Sequence, residues 1–206
     1  MIGLLNEIDG TAAPLPIENL DTDQIMPKQF LRIVDKAGLS DGLLYDLRFD
    51  EQGALREDCV LNQPAYRGAR ILIGGSNFGC GSSREHAVWG LQQFGFDAVI
   101  APSFAEIFYS NAMNNRLLLV QLQRAEVDQL LHEAATQPAS PLRIDIDQQT
   151  VTSAATGDVF HFPLGARHKR MVMEGIDTID ITLQSLAAIE AFEREHFTRH
   201  SWAAVL

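Results

Sequence analysis

The chain has 206 residues, of which 46% are hydrophobic, and it carries a formal net charge of −11 at pH 7. This composition supports an ordinary buried core, and the acidic balance argues against nucleic acid and against anionic membrane surfaces as partners. No apolar run approaches the ~20 residues of a membrane span, and the N-terminus lacks the basic region of a signal peptide, so we expect a cytoplasmic protein.

The first third of the sequence predicts short elements. Apolar segments within residues 4–17 are broken by glycine and proline, which predicts an entry strand and a turn. Residues 19–28 (NLDTDQIMPK) are polar, and we expect a loop in which Asp and Thr side chains bond to their own backbone. Residues 29–34 and 39–47 carry enough leucine and phenylalanine for short helices or for a packed loop.

The middle of the chain alternates between strand and helix patterns. Buried strands are predicted at 70–73, 97–101 and 117–122, and helices at 85–94 and from Glu106 onward. Gly95 stands where helices commonly end, and Ser103 with Glu106 matches a capping box. The order β-α-β-α-β indicates a parallel sheet flanked by helices, in which ligands bind at the carboxyl ends of the strands.

A glycine-rich stretch, GGSNFGCGSSREH at 74–86, joins the first of these strands to its helix. Such a connection presents unpaired backbone N–H groups to an anion, and Gly79 and Gly81 let the backbone approach a ligand closely. Ser82 and Ser83 add hydroxyls, and Arg84 adds a guanidinium that grips carboxylates in bidentate fashion. The stretch therefore predicts a site for a small anion, either a carboxylate or a phosphate.

A plain helix cap is the alternative for the same residues. Ser82 and Glu85 are spaced as a capping box, which would stabilise the helix by ~1 kcal/mol without any ligand. One serine suffices for a cap, however, and a cap explains neither the glycines nor Arg84.

Only two cysteines occur, Cys59 and Cys80, and no metal-ligand pattern surrounds them. This excludes a disulfide framework and argues against a structural zinc site. An iron–sulfur cluster takes three or four cysteine ligands, so we expect this chain to hold none alone. Cys80 lies in the glycine-rich stretch, where it is either a reactive thiol or a small apolar filler.

The last third predicts a helix at 125–135, a hairpin formed by strands 142–146 and 151–154, and a further strand at 159–162. A basic run within the helix at 167–175 is typical of a solvated face, or of a surface for an acidic partner. A strand at 178–182 and a helix at 185–196 complete the prediction. No linker divides the chain, so we expect one domain spanning residues 1–206.

Four motifs resemble the small subunits of 3-isopropylmalate dehydratases, the leucine-biosynthesis branch of the aconitase superfamily. They are NLDTDQIMPK at 19–28, NFGCGSSREHA at 77–87, APSFAEIFY at 101–109 and NNRLL at 114–118. GSSREHA is highly specific, and TDQI supports it independently. The resemblance covers most of the chain and implies an α/β fold, the swivelling β/β/α domain, with a mainly parallel central sheet, flanking helices and an additional β-hairpin region.

The resemblance also implies an activity that is divided between two chains. The small subunit of this family closes over a large subunit that carries a 4Fe–4S cluster, in a heterodimer or a higher assembly. The pair moves a hydroxyl between adjacent carbons of a hydroxy diacid by dehydration and rehydration. By motif match, Ser82 is the base and Arg84 is the clamp for the substrate carboxylate, while Ser83 and the amides near Gly81 complete the anion pocket.

Two further site residues follow from the same resemblance. Asp23 matches an aspartate that orients a catalytic group, and Lys28 with residues 29–32 falls in the substrate-selecting loop. No metal ligand is expected in this chain. A serine is a weak base unless it is activated, and Arg84 with the helix N-terminus would supply the positive potential.

Two departures from the family pattern leave the substrate open. Ser76 replaces a common acidic residue, and GARHKRM at 165–171 replaces a run of the form DxFRxHC. A paralogue acting on 2-methylmalate or dimethylmalate is therefore an alternative. A non-catalytic anion-binding domain is another, and an enzyme that uses Cys80, with His86 as the nearest base in sequence, is a third.

Overall fold

The computed structural model describes residues 3–31 and 38–203, which form eight strands in two four-stranded sheets. The antiparallel sheet contains β1 (Glu7–Gly10), β6 (Leu142–Asp145), β7 (Thr150–Ser153) and β8 (Val159–His161), in that order. The parallel sheet contains β2 (Ala12–Leu15), β3 (Ile71–Gly74), β4 (Ala98–Ala101) and β5 (Leu118–Gln121).

The parallel sheet is the centre of the core. Every residue of β2, β3 and β4 is buried, as expected for a sheet that is covered on both faces. Its covering helices are α3 (His86–Phe94), α4 (Glu106–Asn114) and α5 (Arg124–Thr136). The predicted β-α-β-α-β order is confirmed, and Gly95 ends α3 in the left-handed conformation at φ 119°.

The antiparallel sheet confirms the predicted hairpin and its third strand. The sheet also includes β1, which pairs with β6 so that Ile8 lies opposite Ile144. The predicted entry strand is thus two strands, β1 and β2, which belong to different sheets.

Residues 19–28 were expected to be a loop in which Asp and Thr bond to their own backbone. The backbone contacts are confirmed for Asp21, but the loop is wrong because these residues contain the short helix α1 (Thr22–Ile25). Asp21 caps this helix by accepting hydrogen bonds from the N–H groups of Asp23 at 2.7 Å and Gln24 at 2.9 Å. The following segment contains 3₁₀ turns at Lys28–Phe30 and Leu39–Gly42, then α2 (Tyr45–Arg48). Residues 32–34 of the predicted helix lie outside the described residues.

Two more 3₁₀ turns, Val60–Asn62 and Pro64–Tyr66, lead into β3. After β8 the chain forms α6 (Ala166–Glu174), α7 (Thr178–Leu183), α8 (Leu186–Arg199) and a 3₁₀ turn, Ser201–Ala203. A strand at 178–182 was wrong, since Asp177 and Asp180 form a capping box that starts α7. Within the described residues, no helix has the length and apolar character to cross a membrane.

Candidate active site

The glycine-rich loop leaves the end of β3 and runs parallel to the segment before α1. The N–H of Gly79 donates to the carbonyl of Leu20 at 2.8 Å, and the N–H of Thr22 donates to the carbonyl of Cys80 at 2.8 Å. The two motifs that the sequence predicts separately therefore form one surface, at the carboxyl end of the parallel sheet.

Two glycines give this loop its course. Gly79 and Gly81 adopt left-handed conformations, with φ of 76° and 95°, which strain residues that carry a Cβ. A Cβ on Gly79 would also lie 2.2 Å from Cγ of Phe108. The close approach at Gly79 is therefore to a core ring, whereas Gly81 is exposed beside the predicted anion site.

Ser82 is held by a threonine that the sequence prediction missed. Thr22 is buried, with 1% exposure, whereas Ser82 is exposed. The Thr22 Oγ1 accepts from the Ser82 N–H at 3.0 Å, and it lies 3.1 Å from the Ser82 carbonyl oxygen and 3.0 Å from Ser82 Oγ. A hydroxyl has one proton to donate, so Thr22 donates to either the carbonyl or the Ser82 hydroxyl. The position of Thr22 in the TDQI motif was the sequence feature that could have identified it.

The predicted capping box at Ser82 and Glu85 was wrong. Helix α3 begins at His86, and no side chain caps it. The carboxylate of Glu85 instead accepts a hydrogen bond from Asn115 Nδ2 at 2.5 Å. Ser82 is thus oriented by its tertiary contact with Thr22, and the helix cap no longer competes with the anion site as an explanation for it.

The capping box predicted at Ser103 and Glu106 was also wrong. Ala105 precedes α4 without a side-chain cap, and Ser103 Oγ accepts from the N–H of Asn77 at 2.8 Å. Ser103 therefore supports the glycine-rich loop from the next strand end.

Arg84 and Asp23 form an ion pair between the loop and α1. The Arg84 side chain is 26% exposed and that of Asp23 is 60% exposed, so the pair lies at the surface. Asp23 and Lys28 line the same pocket of about 260 Å³, together with Gln29 and Asp46. The predicted residues Asp23, Lys28 and Arg84 are thereby brought to one place.

Backbone donors surround these side chains. In the part of the chain that the structure describes, the N–H groups of Gly81, Ser83, Arg84 and Glu85 donate to no protein acceptor. The carbonyl of Ser83 accepts from Asn111 Nδ2 at 3.4 Å, and this contact attaches the loop to α4. Exposed N–H groups beside a guanidinium form a favourable setting for a carboxylate.

The two remaining candidate groups have other partners. The Cys80 thiol donates to the carbonyl of Asn19 at 3.2 Å, and the ring of His86 packs against Trp89 with centroids 4.8 Å apart. Among the described contacts, none joins Cys80 to His86. This arrangement favours a structural role for both residues.

The basic run that departs from the family pattern is a helix face with its own contacts. Lys169 Nζ donates to Asp147 Oδ1 at 2.6 Å, and this hydrogen bond lowers the pKa of Asp147. His168 packs edge-on against Tyr109 at 5.3 Å. Desolvation, with Arg167 nearby, lowers the pKa of His168, and burial raises the pKa of Tyr109. These contacts attach α6 to α4 and to the β6–β7 turn.

Metal ligands are not grouped in this chain as far as the structure describes it. Among residues 3–31 and 38–203, no three His, Cys, Asp or Glu side chains are arranged to hold a metal ion. Cys59 and Cys80 are both half-buried free thiols. A 4Fe–4S cluster, with its three or four cysteine ligands, does not fit these residues alone.

The profile of the aconitase C-terminal domain matches residues 2–125, more than half of the chain. This match, with the two-sheet fold and the loop geometry, defines an aconitase-type domain.

Comparison with similar proteins identifies the family within the class of aconitase-type domains. The 3-isopropylmalate dehydratase small subunit 1 of Chromobacterium violaceum is 56% identical over 195 residues, covering 95% of this chain and 91% of that protein. The 3-isopropylmalate dehydratase small subunit of Phenylobacterium zucineum is 50% identical, covering 95% of both. A crystal structure of 3-isopropylmalate dehydratase from Methanocaldococcus jannaschii has a TM-score of 0.64 at 26% identity, covering 91% of this chain and 99% of that one. The chain belongs to the family of 3-isopropylmalate dehydratase small subunits, which confirms both the resemblance and the fold class.

Proposed function

We propose that the chain is one half of a hydro-lyase that interconverts 2-isopropylmalate and 3-isopropylmalate, and that it is inactive without a large subunit. The observation that carries this proposal is the pairing of two motifs: Thr22 and Asp23 on one segment hold Ser82 and Arg84 on the other. A binding domain needs the arginine, but it has no need of a serine hydroxyl held beside it.

Arg84 binds one carboxylate of the diacid. Its guanidinium offers paired N–H donors, and the unpaired N–H groups of Gly81 and Ser83 lie along the same loop. In the free chain, Asp23 orients the guanidinium through the ion pair. Lys28 lines the adjoining pocket and supplies a second cation, which suits the second carboxylate of a diacid.

Ser82 removes the proton from the carbon next to the bound carboxylate. The Oγ must carry negative charge to do so, and two groups stabilise that charge. Arg84, two residues along the loop, supplies positive potential. Thr22 supplies a hydrogen bond when its proton turns from the Ser82 carbonyl to the Ser82 Oγ, since both acceptors lie within 3.1 Å of Thr22 Oγ1.

The large subunit is proposed as the holder of the 4Fe–4S cluster. When bound there, an iron of the cluster supplies Lewis-acid assistance to the departing hydroxyl. Among residues 3–31 and 38–203, no three His, Cys, Asp or Glu side chains are grouped as metal ligands. This supports placing the cluster on the large subunit. The contribution of this chain is the base and the carboxylate pocket.

Reconstitution tests the proposal. The chain and its large subunit are purified anaerobically, and alkene formation from 3-isopropylmalate is followed by ultraviolet absorbance. We expect turnover only from the mixture. We expect Ser82→Ala to lower kcat by ~10²–10⁴-fold, the usual contribution of a general base. Arg84→Lys should mainly raise KM, because lysine cannot form the bidentate contact.

Ser140→Ala is the matched control, since Ser140 lies in the turn after α5 and its side chain forms no described hydrogen bond. Turnover by this chain alone would refute its assignment as a subunit. Full turnover by Ser82→Ala would refute the assignment of Ser82 as the base. Turnover of 2-methylmalate or dimethylmalate in place of 3-isopropylmalate would assign the chain to a paralogous dehydratase.

A further inference from the structure

Residues 178–203, here called the C-terminal arm, consist of α7, α8 and the last 3₁₀ turn, and no residue of the arm is buried. The arm nevertheless carries large apolar side chains. Those exposed by more than two fifths are Ile179, Leu183, Leu186, Phe192, Phe197 and Trp202, with Trp202 reaching 83%. Large exposed apolar side chains concentrated in one segment are typical of an interaction site.

Ile181 of α7 packs against the core, but α8 buries no residue and lacks the stabilisation that a helix of its length needs. Isolated helices shorter than ~12–15 residues are marginal in water, and most helices in proteins are stabilised by a packed apolar face. The 14 residues of α8 have ion pairs between Glu190 and Arg194 and between Glu195 and Arg199, worth only ~0.2–0.5 kcal/mol each. The missing stabilisation has to come from a surface outside the arm.

A row of aromatic rings on α8 and on the 3₁₀ turn after it is suited to such a contact. The rings of Phe192, His196, His200 and Trp202 follow one another, with centroids 5.3, 4.9 and 6.1 Å apart. Aromatic side chains in such a row bury large areas at little cost in conformational entropy, and they are enriched among residues that dominate binding energy.

The root of the arm lies beside the candidate active site. Thr178 Oγ1 donates to Asn114 Oδ1 at 2.8 Å. Ile179, Asn114 and Glu85 line a common pocket of about 360 Å³, and Glu85 directly follows Arg84 in the chain. A partner that presents the other half of the active site to Ser82 and Arg84 therefore covers the surface from which the arm extends.

The match to one relative reaches into the arm. The match to the Chromobacterium violaceum small subunit covers 95% of this chain. The arm makes up more than a tenth of the 206 residues, so the match extends into it. At least the first part of the arm thus has a counterpart in a protein whose printed name calls it a small subunit.

We propose that the C-terminal arm is a docking element for the large subunit, which receives the apolar and aromatic face of α8 in a groove of its own. The proposal rests on the proposed function, because it assumes that a large subunit faces Ser82 and Arg84. It adds a second contact surface that contains no catalytic group.

Full-length variants test the docking element. Phe192→Glu and Trp202→Glu each place a charge on the arm, and Val159→Glu is the control, since Val159 is 51% exposed on β8. Affinity for the anaerobically purified large subunit is measured by analytical ultracentrifugation. We expect at least tenfold weaker binding for each arm variant, which is ~1.4 kcal/mol, and a change below twofold for the control. At saturating large subunit, kcat should equal that of the wild type.

Arm variants that bind within twofold of the wild type would overturn the proposal. So would a wild-type chain that self-associates through the arm, with Phe192→Glu abolishing the dimer but leaving affinity for the large subunit intact. All three substitutions are at exposed positions, and circular dichroism checks that the fold is kept. A wild-type pair that binds but forms no alkene from 3-isopropylmalate would refute the proposed function, while the affinity comparison would still decide the role of the arm.

Discussion

Replacing Thr22 by valine removes the hydroxyl 3.0 Å from Ser82 Oγ and keeps the shape of a buried side chain. A hydrogen bond to a charged group contributes ~1.5–3 kcal/mol. If Thr22 donates to the negatively charged Ser82 oxygen, its loss should lower kcat by ~10- to 150-fold, at about 1.4 kcal/mol per factor of ten. The ion pair between Arg84 and Asp23 is untouched, so KM should stay the same.

The assay is steady-state alkene formation by the reconstituted enzyme, paired with thermal unfolding of the chain. Thr22→Val also deprives the Ser82 N–H of its acceptor, which should lower the melting temperature. Thr22→Ser is the control, since it restores the hydroxyl but deletes the buried methyl group. We therefore expect Thr22→Ser to recover most of kcat while remaining less stable than the wild type.

Two results would refute this reasoning. A Thr22→Val enzyme with kcat within twofold of the wild type would show that Thr22 does not act on the Ser82 oxygen. Equal loss of kcat in the serine and valine variants would assign the effect to packing of the threonine methyl group.

Two further predictions concern stability. Gly79→Ala should lower the free energy of unfolding by ~2–4 kcal/mol in urea denaturation, because its Cβ would lie 2.2 Å from Phe108 and its φ is 76°; unchanged stability would contradict the packing described. Asp147→Asn should destabilise the chain at pH 7 but not in strong acid. Lys169 lowers the pKa of Asp147 in the folded chain, so its stabilisation is complete above the unfolded pKa and is lost as pH falls through the folded value. Melting temperatures of the wild type and this variant should therefore converge once the pH falls below the lowered pKa of Asp147, and a constant gap would argue against the ion pair.

The parallel sheet was predictable because its strands are continuous apolar runs, which need no partner to be recognised. Residues 70–73 and 97–101 became β3 and β4, and Gly95 ended α3 as expected. The pairing of β1 with β6 was not predictable from local pattern, since Ile8 and Ile144 meet only in the folded chain.

The errors have a common physical origin in polar side chains with several possible partners. Ser82 and Ser103 have the spacing of helix caps, but tertiary neighbours supply better-placed groups, Thr22 and the N–H of Asn77. The alternating pattern of residues 178–182 favours a strand, yet Asp177 and Asp180 start a helix there. Motif match thus proposed the site residues, while the buried hydroxyl that holds Ser82 required the fold.

Under the proposed function, the ion pair between Arg84 and Asp23 makes substrate binding an exchange between two carboxylates. The guanidinium of Arg84 already holds a carboxylate in the free chain, so an incoming diacid finds this cation already paired. Asp23 is the more exposed of the two side chains and can turn toward water at little cost. Binding is then an exchange of one carboxylate for another, and its free energy is the difference between two similar contacts. A single carboxylate would gain little from such an exchange, whereas a diacid would gain a contact with Lys28 as well, so we expect the proposed site to prefer two charges.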